Sequence, residues 1–159
     1  MSWGILLALI GGALSVTLTC VGSAKGVDMT AEAAAPVIID DPSKFSKLMI
    51  LMLLPGSQGL YGLVVTILLL TQIGVLGGSS AVSFTAGFLY FLACLPIAIG
   101  GMVSALLQAR VTVAGVNIVS KKDSEYGKAV LSAAFVEFYA LLCFITSLLT
   151  VMNISQLGL

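Results

Sequence analysis

Four apolar runs, each long enough to cross a bilayer, leave this chain little choice of fold. Residues 3–21, 48–76, 82–107 and 129–152 contain a single charged side chain among them, Glu137. A hydrocarbon core asks for about 20 such residues per helix. Lipid offers no partners to backbone amides, so runs of this kind must satisfy them internally as helices. Composition agrees, with 59% of residues hydrophobic and 9% charged, against about 25% charged in soluble domains. The expected fold class is an all-α membrane protein of four transmembrane helices in two duplicated hairpins. The first and third helical patterns continue past the hydrocarbon, through residues 25–39 and 110–120.

The remaining charge is gathered into two blocks. Lys25, Lys44, Lys47, Asp28, Glu32, Asp40 and Asp41 form the first; Arg110, Lys121, Lys122, Lys128, Asp123 and Glu125 form the second. The connection GVLGGSSAVS between the hairpins is uncharged. Lysine and arginine stay on the cytoplasmic side of membranes. That rule places the loops at about residues 40–46 and 120–127 in the cytoplasm, and both termini and the Gly-Gly-Ser-Ser connection outside, in a multi-pass cell-membrane topology. Residues 1–76 then form one hairpin and 77–159 the other, repeated at an offset of roughly 80 residues. The N-terminal apolar stretch lacks a positively charged start and runs on into a helical pattern, so it is expected to be a retained helix and not a signal peptide.

Several chemistries are excluded. Zero formal net charge argues against nucleic acid as a partner, and the absence of histidine removes Ser–His catalysis and His-ligated metals. GSAKG lacks the spacing of a phosphate-binding loop. Cys20, Cys94 and Cys143 show neither disulfide nor zinc spacing and read as small packing residues.

Glu137 lies within FVEFYALLCFITSLLTV, with no base nearby in the sequence. A charge at a helix centre costs roughly 2.5–3.5 kcal/mol on insertion scales, and intramembrane acids typically mark ion or proton pathways. The alternative is a permanently neutral acid donating one hydrogen bond. Depth groups Glu137 with two amides. At about 1.5 Å per residue, Glu137 lies about 14 Å past Lys128, Gln58 about 16 Å past Lys47, and Gln108 about 20 Å before Lys121. The three therefore share a layer near mid-membrane. In LLPGSQGLYG, Pro55 removes an amide hydrogen and kinks the helix, freeing backbone oxygen beside the Ser57 hydroxyl and the Gln58 amide. Oxygen is what hard cations bind. An ordinary proline kink, with Gln58 as interhelical glue, is the plainer reading of that motif.

Small residues recur every fourth position: Gly11, Ser15, Thr19 and Ser23 in the first helix, Gly100, Ser104 and Gln108 in the third. Such faces allow close helix approach, within one bundle or between subunits of a ring. Lys25, Asp28 and Glu32, spaced by three and four, read as a solvated, self-paired helix end.

GSAKGVDMTAEAAA, LLPGSQGLYG, LLQARVTVAGV and AAFVEFYALL, in this order and over almost the whole chain, resemble the proteolipid rotor-ring subunits of vacuolar-type rotary ATPases, and most of all their sodium-translocating bacterial members. The resemblance implies a homo-oligomeric ring of identical four-helix subunits, with the first and third helices inside and the second and fourth outside. It makes Gly11, Ser15, Thr19, Ser23, Gly100 and Ser104 ring-packing residues. It implies sodium held by the Leu54 carbonyl, the Ser57 hydroxyl, the Gln58 and Gln108 amide oxygens and the Glu137 carboxylate, with the Tyr61 hydroxyl locking Glu137. The implied partners are the lipid bilayer, an arginine-bearing membrane subunit of the stator, and central-stalk subunits at the cytoplasmic loops. ATP hydrolysis would belong to other subunits, leaving this chain non-catalytic. Two positions depart from the pattern: Ser57 stands where sodium-binding relatives have threonine, and Phe138 where a hydroxyl residue follows the glutamate.

Proton coupling is the alternative within the family, since a carboxylate alone serves a proton. A small four-helix secondary transporter would also carry one intramembrane glutamate, but would line its cavity with aromatics. A purely structural membrane protein gives Glu137 no task.

Overall fold

The computed structural model describes residues 2–78 and 82–157; part of the Gly-Gly-Ser-Ser connection and both chain ends lie outside them. Helix α1 spans Trp3–Asp40, α2 Phe45–Leu53, α3 Ser57–Gln72, α4 Phe84–Lys121 and α5 Tyr126–Ile154. Among the described residues there is no strand. α2 and α3 are the two arms of one segment interrupted at Leu54–Gly56, so four helical segments are long and apolar enough to cross a membrane. The chain is an all-α, multi-pass membrane protein, as its sequence leads one to expect.

The ends of the helices follow local chemistry. Ser2 and Ser83 take extended backbone angles, and their hydroxyls accept the Ile5 and Ala86 amide hydrogens at 3.3 and 3.1 Å, as serine caps do. α1 stops at Asp41, whose carboxylate accepts from the Ser43 hydroxyl at 2.6 Å and amide at 3.1 Å. Those bonds, with Lys44 nearby, hold the Asp41 carboxyl below its ordinary range. The turn is therefore secured at neutral pH and loosens as pH falls through that lowered value. α1 and α4 each have 38 residues. At 1.5 Å per residue that is about 57 Å, so both project well beyond the hydrocarbon.

α1 and α4 run parallel and pack along their length; α3 lies against α1, α5 against α4, and α3 meets α5. Close approach is set by missing side chains. At Gly22 an added Cβ would sit 2.7 Å from the Met102 carbonyl oxygen and 2.8 Å from its Cα, so backbone rests on backbone there. Thr30 and Thr112, both fully buried, share a hydrogen bond of 2.7 Å across the same contact.

Two apolar clusters flank the middle of the bundle. One, nearer the termini, is built around Val65, Leu69, Tyr90, Ile97 and Val151. The other, nearer the charged loops, gathers Ala34, Leu48, Leu51, Val116 and Val119. Buried polar residues Gln58 and Gln108 lie between them.

The small-residue ladders pack within the chain, and two other readings need correction. Gly11, Ser15, Thr19 and Ser23 are buried inside the chain: Gly11 faces the Phe91 backbone, Ser15 donates to the Gly62 carbonyl at 3.2 Å, and Ser23 accepts the Gly59 amide hydrogen at 2.9 Å. Gly100 faces Cys143, and Ser104 donates to the Val136 carbonyl at 3.3 Å. These small faces join helices of this chain. A fourfold repeat identifies a close-packing face without saying whose helix fills it. Lys25, Asp28 and Glu32 are exposed and do not pair with one another; among the described residues the ion pairs are Lys44–Asp41, Lys47–Asp123 and Lys128–Glu125. Spacing permits such pairs, but water competes for exposed ones. Of the cysteines only Cys94 is buried, whereas Cys20 is exposed.

Candidate functional site

Pro55 builds the first wall of the site. Without an amide hydrogen it cannot continue the α-helical ladder, and the chain tightens into a 3₁₀ turn over Leu54–Gly56 before resuming as α3. The Ser57 amide closes that turn onto the Leu54 carbonyl. The turn brings that carbonyl, the Ser57 side chain and the start of α3 to one level, facing α5.

Glu137 occupies that level on α5 and is half-buried. Its Oε1 lies 2.7 Å from Ser57 Oγ and 2.5 Å from the Tyr61 hydroxyl, which donates to it; its Oε2 accepts from Gln58 Nε2 at 3.0 Å. Gln58 uses its other amide hydrogen on Gln108 Oε1, at 2.7 Å. Gln108 Nε2 in turn donates to the Ala133 carbonyl, 3.1 Å away on α5. Gln58 and Gln108 have no exposed surface. The three polar side chains that depth places in one layer are thus linked by hydrogen bonds drawn from α3, α4 and α5.

The count of hydrogens is what makes this cluster unusual. Ser57 Oγ stands 3.0 Å from the Leu54 carbonyl oxygen, 2.7 Å from Glu137 Oε1 and 3.4 Å from Gln58 Oε1. A hydroxyl has one hydrogen and can serve one of the three. Both amide hydrogens of Gln58 are engaged elsewhere, so these three acceptors compete for the one Ser57 hydroxyl hydrogen, with the Tyr61 hydroxyl also serving Glu137 Oε1 and the Ser57 amide also serving the Leu54 carbonyl. A centre rich in acceptors and short of donors suits a cation, whose charge would take the place of the missing hydrogens.

Other groups hold this arrangement in place. The Tyr61 ring stacks on Phe144, centroids 5.1 Å apart, which aims its hydroxyl at Glu137. Ser23 ties the Gly59 amide to α1 and Ser104 ties α4 to the Val136 carbonyl, one residue before Glu137. Sequence reasoning missed Phe144 and the Ala133 carbonyl. Phe144 had a weak signal, seven residues or about two turns beyond Glu137 on one helix face, whereas a backbone carbonyl has none. A groove of about 370 Å3, lined by Ile50, Leu53, Leu54, Ser57, Tyr61 and Glu137, opens from the site to the outer surface between α2, α3 and α5.

The sequence profile of the ATP synthase C (proteolipid) family matches residues 10–69 and, a second time, residues 91–150. The first match contains Leu54, Ser57, Gln58 and Tyr61, the second Gln108 and Glu137. The chain is 41% identical over 150 residues to the V-type sodium ATPase subunit K of Enterococcus hirae, an alignment covering 94% of this chain and 93% of that protein. It is 30% identical over 150 residues to the A-type ATP synthase subunit K of Methanocaldococcus jannaschii, covering 94% of this chain and 64% of the relative.

Proposed function

The chain belongs to the ATP synthase C (proteolipid) family, and from that premise we propose that it is a rotor-ring subunit of a vacuolar-type ATPase that carries sodium ions through the membrane at Glu137. The observation that carries this reading is the oxygen cluster around Ser57, whose one hydroxyl hydrogen faces three acceptors. The Enterococcus hirae relative is named for a sodium ATPase, which supports sodium as the cargo.

In this reading the Leu54 carbonyl, Ser57, Gln58, Gln108 and Glu137 supply oxygen to the ion, and Tyr61 locks the occupied carboxylate. Gln58 and Gln108 turn their amide oxygens inward when the ion enters. Residues 1–76 and 77–159 act as two hairpins, a division supported by the double match of the family profile. The charged loops face the cytoplasm and both termini face outside.

The work of the site follows from charge. A loaded carboxylate is neutral overall and can turn past lipid through the outer groove. An emptied one is a bare charge whose desolvation costs several kcal/mol. Lipid therefore passes occupied sites only, and an emptied Glu137 waits for water or for an arginine of the stator. Central-stalk subunits grip the cytoplasmic loops, and ATP hydrolysis takes place on other subunits.

Sodium binding to the purified protein tests this reading. The wild-type chain is expected to bind one sodium per subunit, and Glu137→Gln none. Equal sodium binding by the two would overturn it.

A further inference from the structure

The outward faces of the helices differ at the level of the site. On α3 and α5 they are apolar, with Leu60, Phe135 and Phe138 each more than half exposed, as suits contact with lipid. On α1 and α4 the exposed positions near that level include Lys25, Asp28 and Arg110. Arg110 is two residues, about 3 Å, from Gln108 along its helix. The polar stretches that begin at residues 25 and 110 therefore start at the level of the site, and not past the hydrocarbon as the sequence leads one to expect. Charges at this depth avoid lipid and find partners.

Asp28 and Arg110 are level with each other. Each stands two residues before a threonine of the Thr30–Thr112 hydrogen bond, on parallel helices. Two residues are also about 200° of helical rotation. Both side chains therefore point away from the α1–α4 contact, Asp28 from the far side of α1 and Arg110 from the far side of α4. Neither forms an ion pair among the described residues. Between the level of the site and the charged loop, the exposed face of α1 carries Asp28, Glu32 and Asp40 against one base, Lys25. The exposed face of α4 carries Arg110 and Lys121 and no acid.

We infer that Arg110 of one subunit pairs with Asp28 of the next copy, so that α4 of each subunit docks on α1 of its neighbour. This rests on the rotor-ring reading. Opposite charges at one depth, aimed in opposite directions from a single chain, make a head-to-tail contact. Contacts of that type generate rings when the rotation from one copy to the next closes. Complementary charge fixes the register of such a contact and disfavours wrong alignments.

Charge reversal in two separate chains tests the pairing. Asp28→Arg and Arg110→Asp are made singly, combined in one chain, and co-expressed as two singly substituted chains; ring survival is read by gel migration after mild-detergent extraction. Each single reversal is expected to lose the ring band. Co-expression restores it, with both chains in the recovered ring, because each altered residue then meets its complement on a neighbour. Rings that survive either single reversal overturn the inference. So does failure of co-expression to restore the ring: rescue by the doubly substituted chain alone would locate the pair inside one subunit, and rescue by neither would assign Arg110 to another partner such as a lipid headgroup. A wild-type chain that forms no ring overturns the rotor reading itself, a result distinct from these.

Discussion

Ser57 and Glu137 are 80 positions apart in the chain, and their oxygens are 2.7 Å apart in the folded protein. The proline turn at Leu54–Gly56 makes that approach possible, and the hydroxyl faces more acceptors than it has hydrogens. The first prediction concerns this hydroxyl. Ser57→Ala removes one oxygen from the cluster, whereas Ser57→Thr keeps it. Bonds to charged groups are worth about 1.5–3 kcal/mol. Sodium affinity in a binding titration is therefore expected to fall roughly tenfold or more in the alanine variant and to hold in the threonine variant. Equal loss in both would point to packing as the cause.

Tyr61 combines two contacts that one substitution separates. Tyr61→Phe keeps the stack on Phe144 and deletes the hydroxyl that donates to Glu137. Bound sodium is then held by the same oxygens but with one restraint fewer on the carboxylate. Its dissociation is expected to quicken by about tenfold, measured by release of radioactive sodium, while the unfolding midpoint in detergent changes little. An unchanged release rate would remove the locking role.

Gly22 tests the close contact of α1 and α4. A Cβ there meets the Met102 backbone, which cannot rotate aside as a side chain would. Overpacking of this kind costs typically 1–3 kcal/mol. Gly22→Val is expected to lower the thermal midpoint of the detergent-solubilised protein, followed by circular dichroism. Gly127→Ala, where an added Cβ meets nothing within 4 Å, serves as the control.

Much of the fold was legible because length and hydrophobicity act through the bilayer, without reference to neighbours. The four segments, the extension of α1 and α4 beyond the hydrocarbon, and the break at Pro55 follow from residue counts and from a missing amide hydrogen. Depth along helices that start at a common interface brought Gln58, Gln108 and Glu137 to one layer, and hydrogen bonds link them there. What depth cannot convey is rotation and neighbourhood. The ladder of Gly11, Ser15, Thr19 and Ser23 identifies a close-packing face on α1, yet its partners are α3 and α4 of the same chain. The Ala133 carbonyl belongs to every residue type alike and so leaves no mark in a sequence. Cys20 is exposed on α1, although its apolar surroundings in the sequence resemble those of buried Cys94.

The central claim is that sodium and a proton compete for the Glu137 carboxylate. Dicyclohexylcarbodiimide attacks a carboxyl group in its protonated form, so its rate of reaction with Glu137 reports which species occupies the site. The rate is to be measured on the purified protein across pH, with and without sodium. The account predicts that sodium slows labelling at Glu137 and that this protection strengthens as pH rises and protons become scarcer. Labelling that proceeds at the same rate at every sodium concentration would contradict it, leaving a protonic site and no ion-binding role for the oxygens of Ser57 and Gln58.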